Sequence, residues 1–594
     1  MKILFHSVKL YFYFAPVLFI TSIGITILLG SLNGINALAL QNFFDGIEDA
    51  VLTSMVNNYL YIRFFLLAGV ILGNIIIGGI VDMLYSAMDV KIRGALTSNI
   101  HLKASRLCPT HTENPEIYDS ILKANGSIGG ISGIVKNGIF IITSFIPYFI
   151  ITGWYLVSLR PVLILAIFII FVPVFATQLF RKNIASEWHD KSAPLSRQLH
   201  FYVDAITDVE YFKETRHLGG YLYFLQKIKQ TFKKIAKLEW KESKHTNLLN
   251  FYNGVIVTLG YAGVILISFH SLMGGHISIG AFAAIFTSIR MMFGMMEQGF
   301  SKVGDLSNGV GSAKNYFLFM NLPERNGKKM TADFRQGIQI KDVSYAYPNS
   351  KQDCVKNISL DIKHKEVIAI VGENGAGKTT LARLLLGLYI PRDGVVSLFG
   401  MDTKKANMQS LYGTSSAIFQ DYQRYKMTLR ENVWISQTKS DKDVTDAVTK
   451  ANALPRFSSS NKGIDTMLSR DFGGLDLSGG QWQRIAIARG IYRTHDLIVL
   501  DEPTAAIDPI EETNLYNQFV NISKDKTTII ITHRLGSAKI ANKIIVMDKG
   551  SIVESGSHDE LIKNNGLYAN MFAIQAGWYA IERGSDENGR KNCL

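Results

Sequence analysis

Gly372, Glu373, Asn374, Gly375, Ala376, Gly377, Lys378, Thr379 and Thr380 match the pattern G-x-x-x-x-G-K-[ST], with Gly372, Gly377, Lys378 and Thr379 in the required places. The chemistry this spacing serves is phosphate binding. Glycines let backbone N–H groups turn inward around a phosphate, and a helix starting directly after them adds partial positive charge. Lys378 would reach the β- and γ-phosphates of ATP, and the Thr379 hydroxyl would ligate Mg²⁺.

Further along, other residues complete a hydrolytic site. Gln420 follows the apolar Ser416-Ala-Ile-Phe419, where a carboxamide would touch Mg²⁺ and water. Leu477-Ser-Gly-Gly-Gln481 precedes a helical run, so Ser478, Gly479, Gly480 and Gln481 offer a second phosphate-binding helix N-terminus. Asp501 suits the magnesium shell, and Glu502 suits a base that polarises attacking water. His533 would hold the γ-phosphate and Glu502 in line. Tyr347, upstream of the glycine loop, is placed to stack on a purine, although a strand aromatic is also an ordinary core residue.

Most of these groups need a rigid element behind them, and the sequence supplies it. Glu366-Val-Ile-Ala-Ile-Val371, Leu497-Ile-Val-Leu500 and Thr527-Thr-Ile-Ile-Ile531 are short apolar runs that read as buried parallel strands. Leu381–Leu386 and Arg484–Arg489 read as helices. The polar residues sit on successive strand ends, which is far more specific than any one motif alone.

The rest of the chain is of another kind. Of 594 residues, 47% are hydrophobic and only 19% charged, which is unusual for a purely soluble protein. The net charge of +13 does not point to nucleic acid, because the basic residues cluster between long apolar spans. Cys108, Cys354 and Cys593 are scattered, with neither metal spacing nor a disulfide framework. Lys2 and Lys9 precede an apolar stretch without a cleavage pattern, which reads as a retained anchor.

Six membrane spans are expected, at about 11–40, 59–81, 137–158, 162–180, 248–270 and 277–300, with a tight turn at Arg160-Pro161. Loop 41–58 holds Asp45, Glu48 and Asp49 but no Lys or Arg, and turn 271–276 is uncharged. Loops 86–136 and 181–245 are basic. Both termini and both long loops are therefore expected in the cytoplasm, with the protein in the cytoplasmic membrane. The long loops read as helical: Asn114 caps a helix with Pro115 in its first turn, and a helix within Asp204–Leu218 closes on Gly219. Inside the sixth span, Arg290 and Glu297 stand seven residues apart, on about one helix face, beside Met291, Met292, Met295 and Met296. Charge at that depth is costly, so the pair either lines a substrate cavity or is paired in helix packing.

Residues 338–575 resemble the nucleotide-binding domain of an ATP-binding cassette (ABC) transporter, most specifically in Leu477–Gln481, and the whole chain resembles a bacterial half-size exporter. The resemblance implies a membrane all-α six-helix transmembrane domain of ABC exporter type followed by an α/β P-loop ABC ATPase domain. The expected boundaries are 1–320 for the first, 321–337 for a linker, 338–575 for the ATPase domain and 576–594 for a polar tail. It assigns Tyr347 to adenine stacking, Gln420 to the Q-loop, Asp508 to the D-loop and His533 to the switch. The segments near Asn114–Asp119 and Glu214–Gly219 become coupling helices. Each ATP would lie between one chain's phosphate loop and a partner's signature. The chain departs from the family at Phe472, about where a glutamate precedes the signature, which weakens the carry-over of that loop's contacts.

The function implied is ATP-driven export by alternating access. A second copy of the chain is the expected partner, since Glu502, His533 and Leu477–Gln481 are all intact; half of a heterodimer is the alternative. A cassette ATPase that gates or senses is the rival from another class. Tyr568-Ala-Asn-Met-Phe572, Gln575-Ala-Gly-Trp-Tyr579 and Glu113–Asp119 resemble the group exporting lantibiotics and other small peptides. A small peptide is thus the first candidate substrate, with lipids or drugs next. No peptidase domain precedes the spans, so leader cleavage is not expected of this chain.

Overall fold

The computed structural model describes the chain apart from Met1, Asn57, Asn349, residues 436–439 and 454–461, Thr494, and residues 503–524 and 578–594. It divides into two compact units. The first comprises Met1–Leu102 and Ser120–Asn321, the second Lys103–Asp119 and Leu322–Leu594. The connection Lys103–Asp119 thus belongs to the unit that carries the glycine loop.

The first unit is helical. Its elements are α1 (Lys2–Phe14), α2 (Pro16–Thr53), α3 (Asn58–Arg106), α4 (Pro115–Gly126), α5 (Ile128–Phe140), α6 (Ile146–Leu159), α7 (Pro161–Thr207), α8 (Val209–His217), α9 (Tyr221–Met273) and α10 (Ile279–Met320). Among the described residues five helical stretches are long and apolar enough to cross a membrane: α2, α3, the run Glu116–Leu159, α9 and α10. The expected span 162–180 falls in α7, a continuous 47-residue helix most of whose side chains there lie outside the described set.

Two expectations need correction, and a third gains a detail. The first span, read as 11–40, is interrupted at Ala15, because Pro16 cannot continue a helix from within and instead starts a new one. Loop 41–58 is mostly helix, since α2 runs to Thr53 and closes on Ser54 in the left-handed conformation. The third span contains one π-helical turn, Ile141–Phe145, between α5 and α6. The smallest residues set the packing distance: a Cβ on Gly30 would stand 2.2 Å from the Ser144 carbonyl oxygen.

The short helices form as their caps dictate. The Asn114 side chain accepts from Glu116 N at 3.0 Å, and Asp208 accepts from Glu210 N at 3.1 Å ahead of α8. Gly219, at φ +66°, ends that segment in a conformation other residues resist.

The second unit has two sheets. One runs in the order β2-β1-β4-β5, built from β1 (Ile338–Tyr345), β2 (Val355–Ile362), β4 (Asp393–Leu398) and β5 (Met401–Asp402). The other runs β10-β9-β3-β8-β7-β6, from β3 (Val367–Gly372), β6 (Ser415–Ile418), β7 (Leu497–Asp501), β8 (Thr527–Ile531), β9 (Lys543–Asp548) and β10 (Ser551–Gly556). Strands β9, β3, β8, β7 and β6 are parallel, and β10 closes the edge antiparallel. Strands β7 and β8 are buried along their whole length, as their unbroken Leu, Ile and Val runs require.

Candidate nucleotide site

Register brings the site together. Ile370, Ile531 and Asp501 lie side by side at the carboxyl ends of β3, β8 and β7, where ligands of open parallel sheets bind. The ladder runs one step further, with Glu502 N donating to Ile531 O at 3.0 Å and Thr532 N to Ile370 O at 3.2 Å. The chemistry-bearing residues therefore leave the sheet from a shared, fixed edge.

The glycine loop joins β3 to α11 (Lys378–Leu385), which starts at the lysine itself, three residues before the expected run. Gly377 has φ +96°, and a Cβ there would stand 2.5 Å from the Cys354 carbonyl oxygen. Lys378 is buried, and its Nζ donates to the Gly372 and Glu373 carbonyls, each at 3.0 Å. Burial lowers its affinity for a proton, which the Glu502 and Asp501 charges partly offset.

The Thr379 hydroxyl donates to Asp501 Oδ1 at 3.2 Å. Asp501 is almost wholly buried, and burial pushes its carboxyl up to about 6, against the Thr379 hydrogen bond that lowers it. A hydroxyl beside a buried carboxylate is an all-oxygen pair suited to Mg²⁺, which takes few protein ligands and completes its shell with water and phosphate. Among the described residues no cluster of three or more His, Cys, Asp or Glu forms a dedicated metal cage.

Glu502 sits next to that pair, held from both sides. Gln420 Nε2, beyond β6, donates to Glu502 Oε2 at 2.9 Å, and His533 Nδ1, beyond β8, lies 3.2 Å from Oε1. Because β7 runs between β6 and β8, the carboxylate on the middle strand meets one partner from each neighbour. Glu502 has φ +46°, a strained conformation for a residue with a side chain and one the sequence gives no sign of. With Nδ1 turned to Glu502, Nε2 is the ring nitrogen left to face a substrate.

Tyr347 hydrogen-bonds Thr380 through its hydroxyl at 3.0 Å, and its ring meets Tyr345 and Tyr389 edge-on. Ser478 is exposed at the start of the helix Gly479–Tyr492, with Gln481 Oε1 accepting from the Ser478 amide at 2.9 Å. These signature residues belong with a separate core around Leu477, Trp482 and Ile485, and no described hydrogen bond joins them to Gly372–Thr380. Phe472 is 63% exposed on the turn before them. Asp508 lies outside the described residues.

One group escaped sequence reasoning. Tyr389 donates to Glu113 Oε1 at 2.5 Å and accepts from Arg383, a residue of α11, at 2.5 Å. Tyr389 also stacks on Tyr345, with rings 5.1 Å apart and 16° from parallel. The connection Lys103–Asp119 is thereby linked to the phosphate-loop helix; Glu113 opens the acidic segment read above, but nothing local names its partner.

In the first unit, Arg290 and Glu297 are both exposed on α10. Met292 and Met296 instead belong to the buried helical core, so the soft surface beside the charged pair reduces to Met291 and Met295, which are half-buried.

Residues 355–505 match the family model described as ABC transporter. Across nearly the whole chain, the sequence is 30% identical over 588 residues to the subtilin transport ATP-binding protein SpaT of Bacillus subtilis, covering 96% of this chain and 94% of that one. The chain belongs to the ABC transporter family. This ABC transporter is also 29% identical to the nisin transport ATP-binding protein NisT of Lactococcus lactis, over 68% of its own length and 70% of the relative's. An ATP-dependent lipid A-core flippase of Photobacterium profundum is 32% identical over 54% of this chain and 56% of its own. The solved structure of a bacterial Atm1-family ABC exporter with ATP bound superimposes with a TM-score of 0.79, at 22% identity, over 95% of this chain and 99% of that one. The fold is thus an ABC exporter fold, and the protein is an ATP-binding transporter that couples ATP hydrolysis to transport.

Proposed function

We propose that two copies of this chain form an exporter that hydrolyses ATP with Mg²⁺ to move a small peptide out across the cytoplasmic membrane. Both termini and the nucleotide unit lie on the cytoplasmic side, a reading supported by the basic loops 86–136 and 181–245. One observation carries the hydrolytic reading: a single carboxylate, Glu502, is held on its two oxygens by Gln420 and His533 beside the Thr379–Asp501 pair.

In this reading the backbone amides of Glu373–Thr380 and the Lys378 ammonium hold the β- and γ-phosphates. Lys378 exchanges its two carbonyl partners for phosphate oxygens. Tyr347 supports the adenine. Glu502 accepts a proton from the water whose oxygen bonds to the γ-phosphorus as the bond to the β-phosphate oxygen breaks. His533 Nε2 faces the γ-phosphate while Nδ1 keeps Glu502 aligned. Thr379, Asp501 and Gln420 would hold Mg²⁺, which when bound would supply positive charge against that building on the phosphate oxygens. The partner's Ser478–Gln481 segment closes over the same ATP, which is why the chain's own signature is not joined to its own phosphate loop. Asp508 and the segments near Asn114–Asp119 and Glu214–Gly219 carry that closure to the spans. Arg290 and Glu297 line the substrate cavity.

Peptide is preferred to lipid because the match to the subtilin transporter spans 96% of the chain, against 54% for the lipid A-core flippase. Inside-out vesicles containing the protein should take up subtilin in an ATP-dependent way and leave a fluorescent lipid analogue in its original leaflet. Lipid movement without peptide uptake would reverse that preference. Subtilin-stimulated ATPase without uptake of either probe would favour a gating or sensing ATPase.

A further inference from the structure

The last described helix, residues 567–577, ends against the switch segment. Gln575 on this helix is half-buried, and its carboxamide bonds to the backbone of the switch segment at two points, His533 and Leu535. Its Oε1 accepts from Leu535 N at 2.9 Å, and its Nε2 donates to the His533 carbonyl at 2.5 Å. The amide can face only one way, because Leu535 presents an N–H and His533 a C=O.

The support behind Gln575 is firm. Leu567 N and Tyr568 N donate to Glu554 at 2.5 and 3.1 Å, which ties the helix start to β10. Tyr568 is fully buried in a core shared with Val371 of the phosphate-loop strand and with Leu535 itself. Lys539 lies over the Phe572 ring at 4.7 Å. On the other side, the sheet ladder stops at Thr532, so His533 projects from a turn rather than from a strand.

We propose that Gln575 is a positioning residue for the switch. It fixes the backbone around His533 so that Nδ1 stays on Glu502 and Nε2 faces the γ-phosphate. Gln575 touches neither substrate nor reacting atoms; it acts through His533, and the inference rests on the reading of His533 above. A contact of 3.2 Å tolerates little drift, and a misplacement of about 1 Å is worth roughly 10²-fold in rate. The carboxamide answers a structural need: an imidazole on a turn has no other side-chain tie, among the described residues, on its own carbonyl.

The test uses the full-length protein in lipid, with Gln575→Ala, Gln575→Glu, His533→Ala and the double variant. Gln575→Ala should lower ATPase kcat about 10-fold or more and leave KM for ATP within about twofold, since the phosphate loop is untouched. Gln575→Glu keeps an acceptor for Leu535 N but sets a carboxylate against the His533 carbonyl, so it should fall as far. In the His533→Ala background, Gln575→Ala should cost nothing more. Melting temperature and ATP affinity should stay near wild type, which a mere loss of helix docking would not allow. Normal kcat in Gln575→Ala, fully multiplicative losses in the double variant, or a fall in melting temperature and ATP affinity alongside kcat would each overturn the proposal. Near-normal turnover of His533→Ala would overturn the reading of the histidine itself, and this inference with it.

Discussion

His533 Nδ1 and Glu502 Oε1 lie 3.2 Å apart, at the ends of the neighbouring strands β8 and β7. Sheet order brings the two chain segments together: Glu502 directly follows Asp501, and His533 stands two residues past Ile531, the residue paired with Asp501. Gln420 on the opposite side completes the arrangement, so the orientation of Glu502 is set before any nucleotide arrives.

Asp501 gives the site a pH signature in the nucleotide-free protein. Burial raises its folded carboxyl to about 6, above the ordinary value of 3.8, so the folded state binds the proton more tightly than the unfolded chain. This favourable contribution is complete below pH 4 and is lost as pH rises through about 6. Asp501→Asn should therefore raise the melting temperature at pH 8, by the equivalent of about 1–3 kcal/mol at 1.36 kcal/mol per pKa unit, and by much less at pH 5. The same gain at both pH values would rule out a buried, titrating Asp501.

Glu113 and Tyr389 make the second prediction. Burial, reinforced by the Glu113 hydrogen bond, holds the Tyr389 hydroxyl protonated, so it is the donor. Tyr389 is buried but Glu113 is exposed, which limits the pair to about 1 kcal/mol. Glu113→Ala and Tyr389→Phe should each destabilise the protein by about that much, and the double variant by little more than either alone. Simple additivity in chemical denaturation would mean the contact is not energetically coupled.

Arg290 makes the third. A cysteine introduced at 290 should react with a water-soluble thiol reagent in the nucleotide-free state, after Cys108, Cys354 and Cys593 are replaced by serine. Labelling should fade when transported substrate is present. Absence of labelling in both states would place Arg290 in helix packing rather than in a cavity.

The sharing of sites between copies is tested by mixing lesions. Homodimers of Lys378→Ala or of Ser478→Arg have two damaged sites each. In a mixed dimer with shared sites, the intact phosphate loop of one chain meets the intact signature of the other, giving one whole site. Tandem-purified mixed dimers should occlude nucleotide at one site, while both homodimers occlude little. No recovery would mean that each site is built within a single chain.

What the sequence made legible was whatever depends on neighbours along the chain. Strands β3, β7 and β8 are apolar runs punctuated by polar residues, so Lys378, Asp501, Glu502 and His533 were readable at their ends. The caps at Asn114 and Asp208 were local in the same way. Three features were not. The break at Ala15 was hidden because apolar character continues across it and only Pro16 marks it. The full length of α2 was obscured by Asp45, which looked like loop but accepts from Gly280 N at 3.1 Å. The ties of Glu113 to Tyr389 and of Gln575 to His533 join residues 276 and 42 positions apart, and no periodicity encodes a partner at such distances.

The account stands most directly on Glu502 as the base. Single-turnover hydrolysis of ATP by Glu502→Gln, in the full-length protein in lipid, should be about 10²–10⁴-fold slower than wild type, with ATP affinity retained and closed dimers accumulating. Hydrolysis within about threefold of wild type would contradict the assignment, because an amide of the same shape cannot take the proton.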